Sequence, residues 1–429
     1  MVACAIGSNT PRAGTPERYD LLLKLAEVAA YAGTWQHVVT AAVEAVRIAA
    51  AAGDPSRVAR AAVELTRHSV WTPQEFNVVD DDLVEDLREA LRSTGETDSF
   101  ERVRLSLALA CQLYYADNRR SELTALVDHG LAMAQRLDDT ELTRWTARSA
   151  SIALWRSDHV AERRRLVEQE LAAARKLGDL DAEALALTTA TGIALELADR
   201  GAYQQRMAEA LRLARRRRLG YLRIALGCVE VSLAALDDAP GLPALASELI
   251  EVSRQTSVVN HDLIVSSLGF LTMLWDPDAP QDHLDAMVAA VLAGPGALAV
   301  DAAAVGLVRL GRLDDVRGLL AQVPLGALTD TWSLTWDAAC HAEIAYALDD
   351  PGIAEPVAPI LRRLSGRLAT AGVSIVAGPL DGYLALAEAA LGNRPAAAAA
   401  ADRALEQARA WPMSAYVRWL LRHRAGGSW

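Results

Sequence analysis

The sequence predicts an all-α fold, a right-handed α-solenoid of tetratricopeptide-like helix pairs. Two segments carry the clearest repeat: each starts at a glycine that ends one helix, and each has an Ala-Val or Ala-Leu pair twelve residues later. They begin at Gly33 and Gly392. Connections are short and rich in Gly, Asp and Pro, and strict polar–apolar alternation over strand length occurs nowhere. These features are typical of antiparallel helix pairs stacked as repeats.

Helical spacing of apolar residues defines the elements in order. Thr15-Pro16 supplies a cap with Pro at the first helical position, and Thr72-Pro73-Gln74-Glu75 has the form of a capping box. The β-branched run Val373–Val376 is too short for a sheet. The predicted helices are Tyr19–Ala32, Trp35–Ala52, a third up to Ser69, Asp81–Arg92, Ser99–Tyr115, Ser121–Arg136, Thr140–Trp155, Val160–Leu177, Asp181–Leu197, Gln204–Arg217, Leu219–Leu236, Leu242–Thr256, Thr331–Leu348, Ile353–Ala371, Leu380–Ala390 and Pro395–Ala410.

Changes in the helical pattern divide the sequence into four predicted parts. Residues 1–15 are predicted to form a flexible N-terminal lead, and residues 17–236 the N-terminal part of the solenoid. Between residues 237 and 324 the pattern weakens, with Pro- and Gly-rich breaks that indicate a seam or tolerated loop insertions. Residues 325–422 form the C-terminal part. A solenoid grows by adding repeats, so a chain of 429 residues does not have to divide into separate globular domains.

Composition excludes several classes of protein. The net charge of −12 argues against a nucleic-acid binder, and the basic runs Arg163–Arg165 and Arg215–Arg218 are better explained as solvated helix ends. The four cysteines lie more than a hundred residues apart and are predicted to be reduced and mostly buried. No signal peptide or membrane span is expected, because Gly294-Pro295-Gly296 interrupts the most apolar stretch. We therefore expect a cytoplasmic protein without nucleic-acid or membrane partners.

Signatures of cofactor, metal and nucleophile chemistry are missing from the sequence, so no cofactor and no metal site are predicted. One stretch keeps a catalytic interpretation. Trp332 and Trp336, and likewise Asp337 and His341, are separated by four residues and share helix faces. An Asp that orients a His beside an aromatic wall is a minimal general-base arrangement. Packing of the Trp pair on the next repeat, with an exposed Asp–His pair, is the alternative interpretation.

Aromatic residues at first-helix positions suggest a ligand-binding surface. The first helices of such pairs line the inside of the curve, so large side chains there converge on a common space. Trp and Tyr can bury apolar ligand surface while their N–H and O–H groups hold polar substituents. Packing between repeats is the competing explanation. The candidate ligand-binding residues are Trp71, Tyr114, Tyr115, Trp155, Trp332, Trp336 and Tyr383.

Scattered segments along residues 17–422 resemble the C-terminal tetratricopeptide-like region of large actinobacterial regulators, the ATPase-containing LuxR-type and AfsR-type activators of antibiotic biosynthesis. Those regulators carry an ATPase and often a helix-turn-helix module, neither of which is found here. The matching segments are Arg18–Leu23, Trp71-Thr72-Pro73, Val79–Val84, Ala90-Leu91, Asp98-Ser99, Arg102–Leu105, Leu113–Ala116, Leu131–Ala134, Ala153–Arg156, Trp332 and Gly378–Leu386.

The resemblance implies a regulatory solenoid associated with natural-product biosynthesis. It would bind a hydrophobic small molecule or a peptide on its concave face, with a protein partner or a homodimer as further candidates. The alternative is a cofactor-independent tailoring enzyme, a cyclase or isomerase, that evolved from such a sensor region and uses Asp337 and His341 as acid and base.

Overall fold

The computed structural model describes residues 16–32, 34–72, 74, 76–255, 261–276, 282–293, 297–427 and 429. The predicted flexible lead, residues 1–15, and Cys4 within it lie outside the described residues. By contact density the chain forms two compact units. The described residues of the first unit fall within 1–190, 206–223 and 255–259, and those of the second fall within 191–205, 224–254 and 260–429. The seam expected at residues 237–324 stays a prediction.

Helices make up most of the described chain and strands very little of it, which confirms the all-α class. They are α1 Pro16–Ala32, α2 Trp35–Ala51, α3 Pro55–Arg67, α4 Asp81–Ser93, α5 Phe100–Gln112, α6 Arg120–Leu137, α7 Thr140–Ala153, α8 Val160–Leu177, α9 Leu180–Glu196, α10 Arg200–Arg217, α11 Gly220–Asp237, α12 Leu242–Gln255, α13 His261–Trp275, α14 Asp282–Ala293, α15 Ala297–Arg309, α16 Leu313–Gln322, α17 Leu334–Leu348, α18 Pro351–Arg363, α19 Leu380–Ala390, α20 Arg394–Ala410 and α21 Ser414–Gly427. Asp117–Arg119 and Ser157–His159 form single 3₁₀ turns, and the strands are β1 Leu368–Ala371 and β2 Ile375–Pro379.

Helix starts follow ordinary capping chemistry. The Asp54 carboxylate accepts a hydrogen bond from the Arg57 N–H at 3.0 Å, and Asp80, Ser99 and Asp139 cap α4, α5 and α7 in the same way. The predicted capping box at Thr72 is wrong, because Thr72 and Gln74 are not helical and α4 begins only after Asp80. Its other members, Pro73 and Glu75, lie outside the described residues.

A two-stranded hairpin replaces the end of a predicted helix. The helix expected to run to Ala371 stops at Arg363, and β1 then pairs antiparallel with β2. Gly366 and Gly372 have φ of 85° and 58°, in the left-handed region that favours glycine, so the chain turns twice within a few residues. The β-branched residues that follow pack well in a short buried strand.

The first helices of successive pairs pack side by side within each unit. In the first unit α3 contacts α5 and α5 contacts α7, and in the second unit α15, α17 and α19 form a similar row. In the first unit α3 and α7 are close enough to contact each other directly. There the hydroxyls of Thr66 and Ser149 lie 2.9 Å apart, and the Trp145 indole N–H donates to the carbonyl of Val63 at 3.4 Å. Side chains therefore fill the inner side of these helices.

Charged groups inside the first unit are paired. Arg148 on α7 is 1% exposed and donates to the Glu170 carboxylate at 2.9 Å and to the Thr189 hydroxyl at 2.8 Å. Burial raises the pKa of Glu170, while the nearby Arg148 opposes that shift. A buried pair of this kind adds little net stability, but removal of one partner leaves an uncompensated charge in the core.

We expect Glu170→Leu to lower the free energy of unfolding by about 3–5 kcal/mol, because it strands the Arg148 guanidinium. Glu89→Leu, which removes one carboxylate from the exposed Arg92, should cost less than about 1 kcal/mol. The double variant Arg148→Met/Glu170→Leu should recover part of the loss. Denaturant unfolding followed by circular dichroism measures all three, and equal costs for Glu170→Leu and Glu89→Leu would contradict this account.

Candidate functional site

The ends of three successive first helices lie together in the first unit. They are the connector after α3, the turn after α5 and the turn after α7. We call this set the helix-end cluster; it consists of Trp71, Thr72, Gln74, Phe76, Tyr114, Tyr115, Trp155 and Arg156. Four of the seven predicted ligand-binding residues belong to it. The connector, residues 68–80, is the longest non-helical link described in the first unit, and such links often carry function.

Buried residues form the base of the helix-end cluster. The Tyr114 hydroxyl donates to the Trp155 carbonyl at 2.5 Å, and Arg156 returns a hydrogen bond from its guanidinium to the Tyr114 carbonyl at 2.7 Å. The same guanidinium lies 5.3 Å from the centre of the Tyr114 ring, and Arg163 lies 5.1 Å from the Trp155 ring. Tyr114 is fully buried and Trp155 is 6% exposed, so both contact protein on all sides.

Half-buried residues form the outer part of the cluster. Tyr115 packs edge-on against Tyr114 at 4.8 Å and against Phe76 at 5.6 Å, and its hydroxyl lies 3.2 Å from that of Thr72. Gln74 ties the connector to the end of α5 by donating to the Cys111 carbonyl at 2.5 Å. Trp71, Phe76 and Tyr115 remain partly open to solvent. The result is an apolar surface with a few polar groups, held on rigid helix ends.

The other predicted aromatic residues lie in the second unit, in separate places. Trp336 is buried and packs edge-on against Phe270 at 6.3 Å, and Trp332 is half-buried where its carbonyl accepts from Gly372 N. Tyr383 is 2% exposed, donates to the Ala377 carbonyl at 2.8 Å and contacts Trp419 at 5.2 Å. Tyr114, Trp155, Trp336 and Tyr383 are thus packed as core residues. Ligand contact by any of the seven stays a prediction.

The expected pairing of Asp337 with His341 is wrong. His341 Nε2 lies 3.1 Å from Oδ2 of Asp301 on α15, and the other oxygen of Asp301 accepts from Gly326 N at 3.1 Å. Asp337 instead accepts from the Ser333 hydroxyl at 2.7 Å, one turn earlier on its own segment. Asp301, Asp337 and His341 are 3%, 8% and 5% exposed. Asp337 and His341 are both buried, so the alternative of an exposed Asp–His pair is also wrong.

Burial controls the protonation of Asp337. Desolvation raises its pKa to about 7; the Ser333 hydrogen bond lowers it, the Asp301 charge raises it further, and His341 lowers it. A carboxyl group with this pKa gives and takes protons near neutral pH, which general acid–base catalysis requires. Neither Asp301 nor Ser333 stood out in the sequence. Asp301 is forty residues from His341 and lies in an apolar helix, where a single carboxylate among apolar residues was the one available signal.

The described part of the chain contains neither a candidate metal site nor a helix that could span a membrane. Its His, Cys, Asp and Glu side chains nowhere form a group of three or more that could hold a metal ion. None of its helices has the length and hydropathy needed to cross a bilayer. Cys111, Cys228 and Cys340 are free and buried, as predicted, and burial raises the pKa of the Cys111 and Cys228 thiols to about 12.

Comparisons with known proteins leave the family open. No family model matches the sequence, and no curated protein matches it. Among solved structures, the chain is similar to a signal transduction ATPase with numerous domains and a tetratricopeptide repeat sensor from Pyrococcus horikoshii. The identity is 14% and the TM-score 0.41. The match covers 82% of this chain and 55% of that one, so this chain spans little more than half of that protein's length. Similarity at this level carries no information on activity or ligand.

We expect Asp337→Asn to change how stability depends on pH. Because the folded-state pKa of Asp337 is raised, its protonated carboxyl group stabilises the fold most below the unfolded pKa near 4. This stabilisation is lost as the pH rises to about 7. Asn keeps an acceptor for Ser333 but cannot ionise. The free energy of unfolding of the variant, relative to that of the native protein, should therefore rise by about 2–4 kcal/mol between pH 4 and pH 8.

Thermal and denaturant unfolding at several pH values measure that gain, with the fully exposed Asp314→Asn as control. A stability difference between Asp337→Asn and the native protein that is the same at both ends of the range would contradict the raised pKa.

Proposed function

We propose that this chain is a binding protein that holds a partly apolar ligand, a small molecule or a peptide, against the outer part of the helix-end cluster. One observation carries the proposal. Phe76 and Tyr115 pack edge-on as a half-exposed aromatic pair, which hydrogen bonds fix on the ends of α3 and α5, and the half-buried Trp71 lies in the same connector. Ligand sites are typically apolar surfaces with a small number of placed polar groups. The half-buried side chains of Gln74 and Tyr115 provide such groups here.

The location differs from the concave face expected from the sequence. Direct contact between α3 and α7 fills the inner side of those helices, while the helix ends keep accessible aromatic surface. The resemblance of the sequence to the sensor region of antibiotic-pathway regulators supports a hydrophobic metabolite as ligand and a regulatory role. A peptide partner fits the same chemistry, because aromatic residues on rigid supports are favourable anchors at protein interfaces.

We expect Tyr115→Ala to weaken ligand binding at this surface about tenfold or more, since it removes the ring that contacts both Tyr114 and Phe76. Tyr115→Phe loses only the contact with the Thr72 hydroxyl and should weaken binding less. The fluorescent apolar anion 8-anilinonaphthalene-1-sulfonate serves as a first probe, followed by a panel of aromatic metabolites in thermal-shift assays.

Tyr31→Ala is the matched control, because Tyr31 is 57% exposed and lies on α1, outside the cluster. If Tyr115→Ala and Tyr31→Ala lower binding of the probe equally, or if neither lowers it, the assignment to the helix-end cluster is wrong.

A second candidate function is acid–base catalysis in the second unit, by a cyclase or isomerase without a cofactor. Its support is the His341–Asp301 pair, close to a second carboxyl group whose pKa is about 7. Asp301 is placed to hold the imidazole in one orientation, and Asp337 could deliver or accept a proton. The burial of all three groups requires a local opening before a substrate could reach them.

For this second candidate, we expect His341→Gln to abolish turnover of a pathway intermediate, and Asp301→Asn to lower kcat with a shifted pH profile. The assay is product formation followed by chromatography, and Glu89→Gln on the exposed face of α4 is the control. Unchanged rates in both variants would exclude these residues from any reaction.

A further inference from the structure

The C-terminal ends of α8 and α10 carry a concentration of positive charge on a protein whose net charge is −12. Two ion pairs bring α10 close to the end of α8: Arg175 near the end of α8 contacts Glu209 within α10 at 3.1 Å, and Arg217 at the end of α10 contacts Asp181 at the start of α9 at 2.5 Å. Five further cations surround these pairs and are exposed. We call them the basic patch; it consists of Lys176, Arg212, Arg215, Arg216 and Arg218.

Members of the basic patch differ from most exposed arginines of this protein. Elsewhere an exposed arginine usually pairs with a carboxylate on its own helix or the next one, as Arg92, Arg254 and Arg317 do. Within the described part of the chain, the side chains of the basic patch make no hydrogen bond or ion pair. The negative end of a helix dipole favours one or two cations. The helix dipole does not account for three arginines in the last turn of α10. The last turn of α6 contains a single arginine.

The backbone at Arg218 adopts a helix-ending conformation that recurs in this fold. Arg218 follows α10 with φ of 57°, in the left-handed region. The residue after α8 in the preceding repeat is Gly178 with φ of 68°, the residue type that adopts this conformation without strain. An arginine at this position costs stability that glycine would not. Asp138, Ala198, Asp238 and Asp349 adopt the same conformation after other helices, so what distinguishes Arg218 is the exposed positive charge that it adds at the end of α10.

One apolar residue lies beside the basic patch. Leu177, the last residue of α8, is 44% exposed and directly follows Lys176. A surface of this composition suits an acidic peptide that also presents an apolar side chain. Nucleic acid is a poorer fit, since Asp181, Glu183 and Glu209 lie along the same edge and would repel a continuous phosphate backbone.

We propose that the basic patch is a docking site for an acidic segment of a partner protein, separate from the helix-end cluster. Its guanidinium groups bind carboxylates of the segment, and Leu177 receives an apolar side chain. Charge complementarity across an exposed surface mainly speeds association and selects the partner. Binding should therefore be rapid and strongly weakened by salt.

The test uses the full chain and a fluorescein-labelled peptide of Glu, Asp and Leu residues, measured by fluorescence anisotropy at low and moderate salt. We expect Arg215→Glu/Arg216→Glu to weaken binding at least about tenfold and to flatten its salt dependence. Leu177→Asn should weaken binding less and leave the salt dependence unchanged. Arg394→Glu/Arg409→Glu on α20 makes the same change in net charge at exposed sites and should have little effect.

Three results would overturn the proposal. One is the absence of measurable binding of the acidic peptide at low salt. Another is an equal loss in the Arg215→Glu/Arg216→Glu and Arg394→Glu/Arg409→Glu variants, which would reduce the effect to net charge. The third is tighter binding of a single-stranded oligonucleotide than of the peptide, which would make the patch a nucleic-acid site. Circular dichroism of each variant confirms that it is folded.

Discussion

Close packing among the first helices is the constraint on which the rest of each unit depends. On α7 every residue from 144 to 153 is buried, and on α17 every residue from 334 to 345. Ala and Ser occupy much of these helices and allow neighbouring backbones to approach closely. A helix enclosed on all sides leaves its polar side chains without water, so each needs a hydrogen-bond partner within the protein. Two such buried hydrogen-bonded pairs are Arg148 with Glu170 and His341 with Asp301.

The same packing decides where function can be located. A ligand on the inner side of the first unit would have to displace hydrogen-bonded contacts such as Thr66 with Ser149. At the helix ends the constraint is relaxed, because chain direction changes there and connectors vary in length without disturbing the core. Trp71 and Phe76 in the connector after α3, and Tyr115 after α5, are accordingly partly exposed, while Tyr114 and Trp155 beside them are buried.

The sequence predicted those features of the structure that depend on residues close together in the chain. Most helices were predicted to within a few residues, because capping by Asp139 or termination at Gly178 depends on neighbouring residues alone. The hairpin was missed because two glycines and a short β-branched run outweigh helical propensity only when the strands are buried. The partner of His341 could not be found from spacing. Residues four apart on one helix face share a surface, but a partner across helices depends on how α15 packs on α17.

Arginine shows how one residue type serves different purposes in this fold. Arg309 is held between Trp275 and Trp419, 4.5 Å from each ring centre, and also donates to Glu343 at 2.9 Å. Its planar, weakly hydrated guanidinium group tolerates such burial better than an ammonium group does, and nearly all cationic side chains of this protein are arginines. Inside each unit, every arginine charge described above is matched by a carboxylate, a carbonyl oxygen or an aromatic face. The core requires such matching and the exposed helices mostly continue it, and the unmatched arginines clustered at the end of α10 are the place where we propose a partner outside the chain.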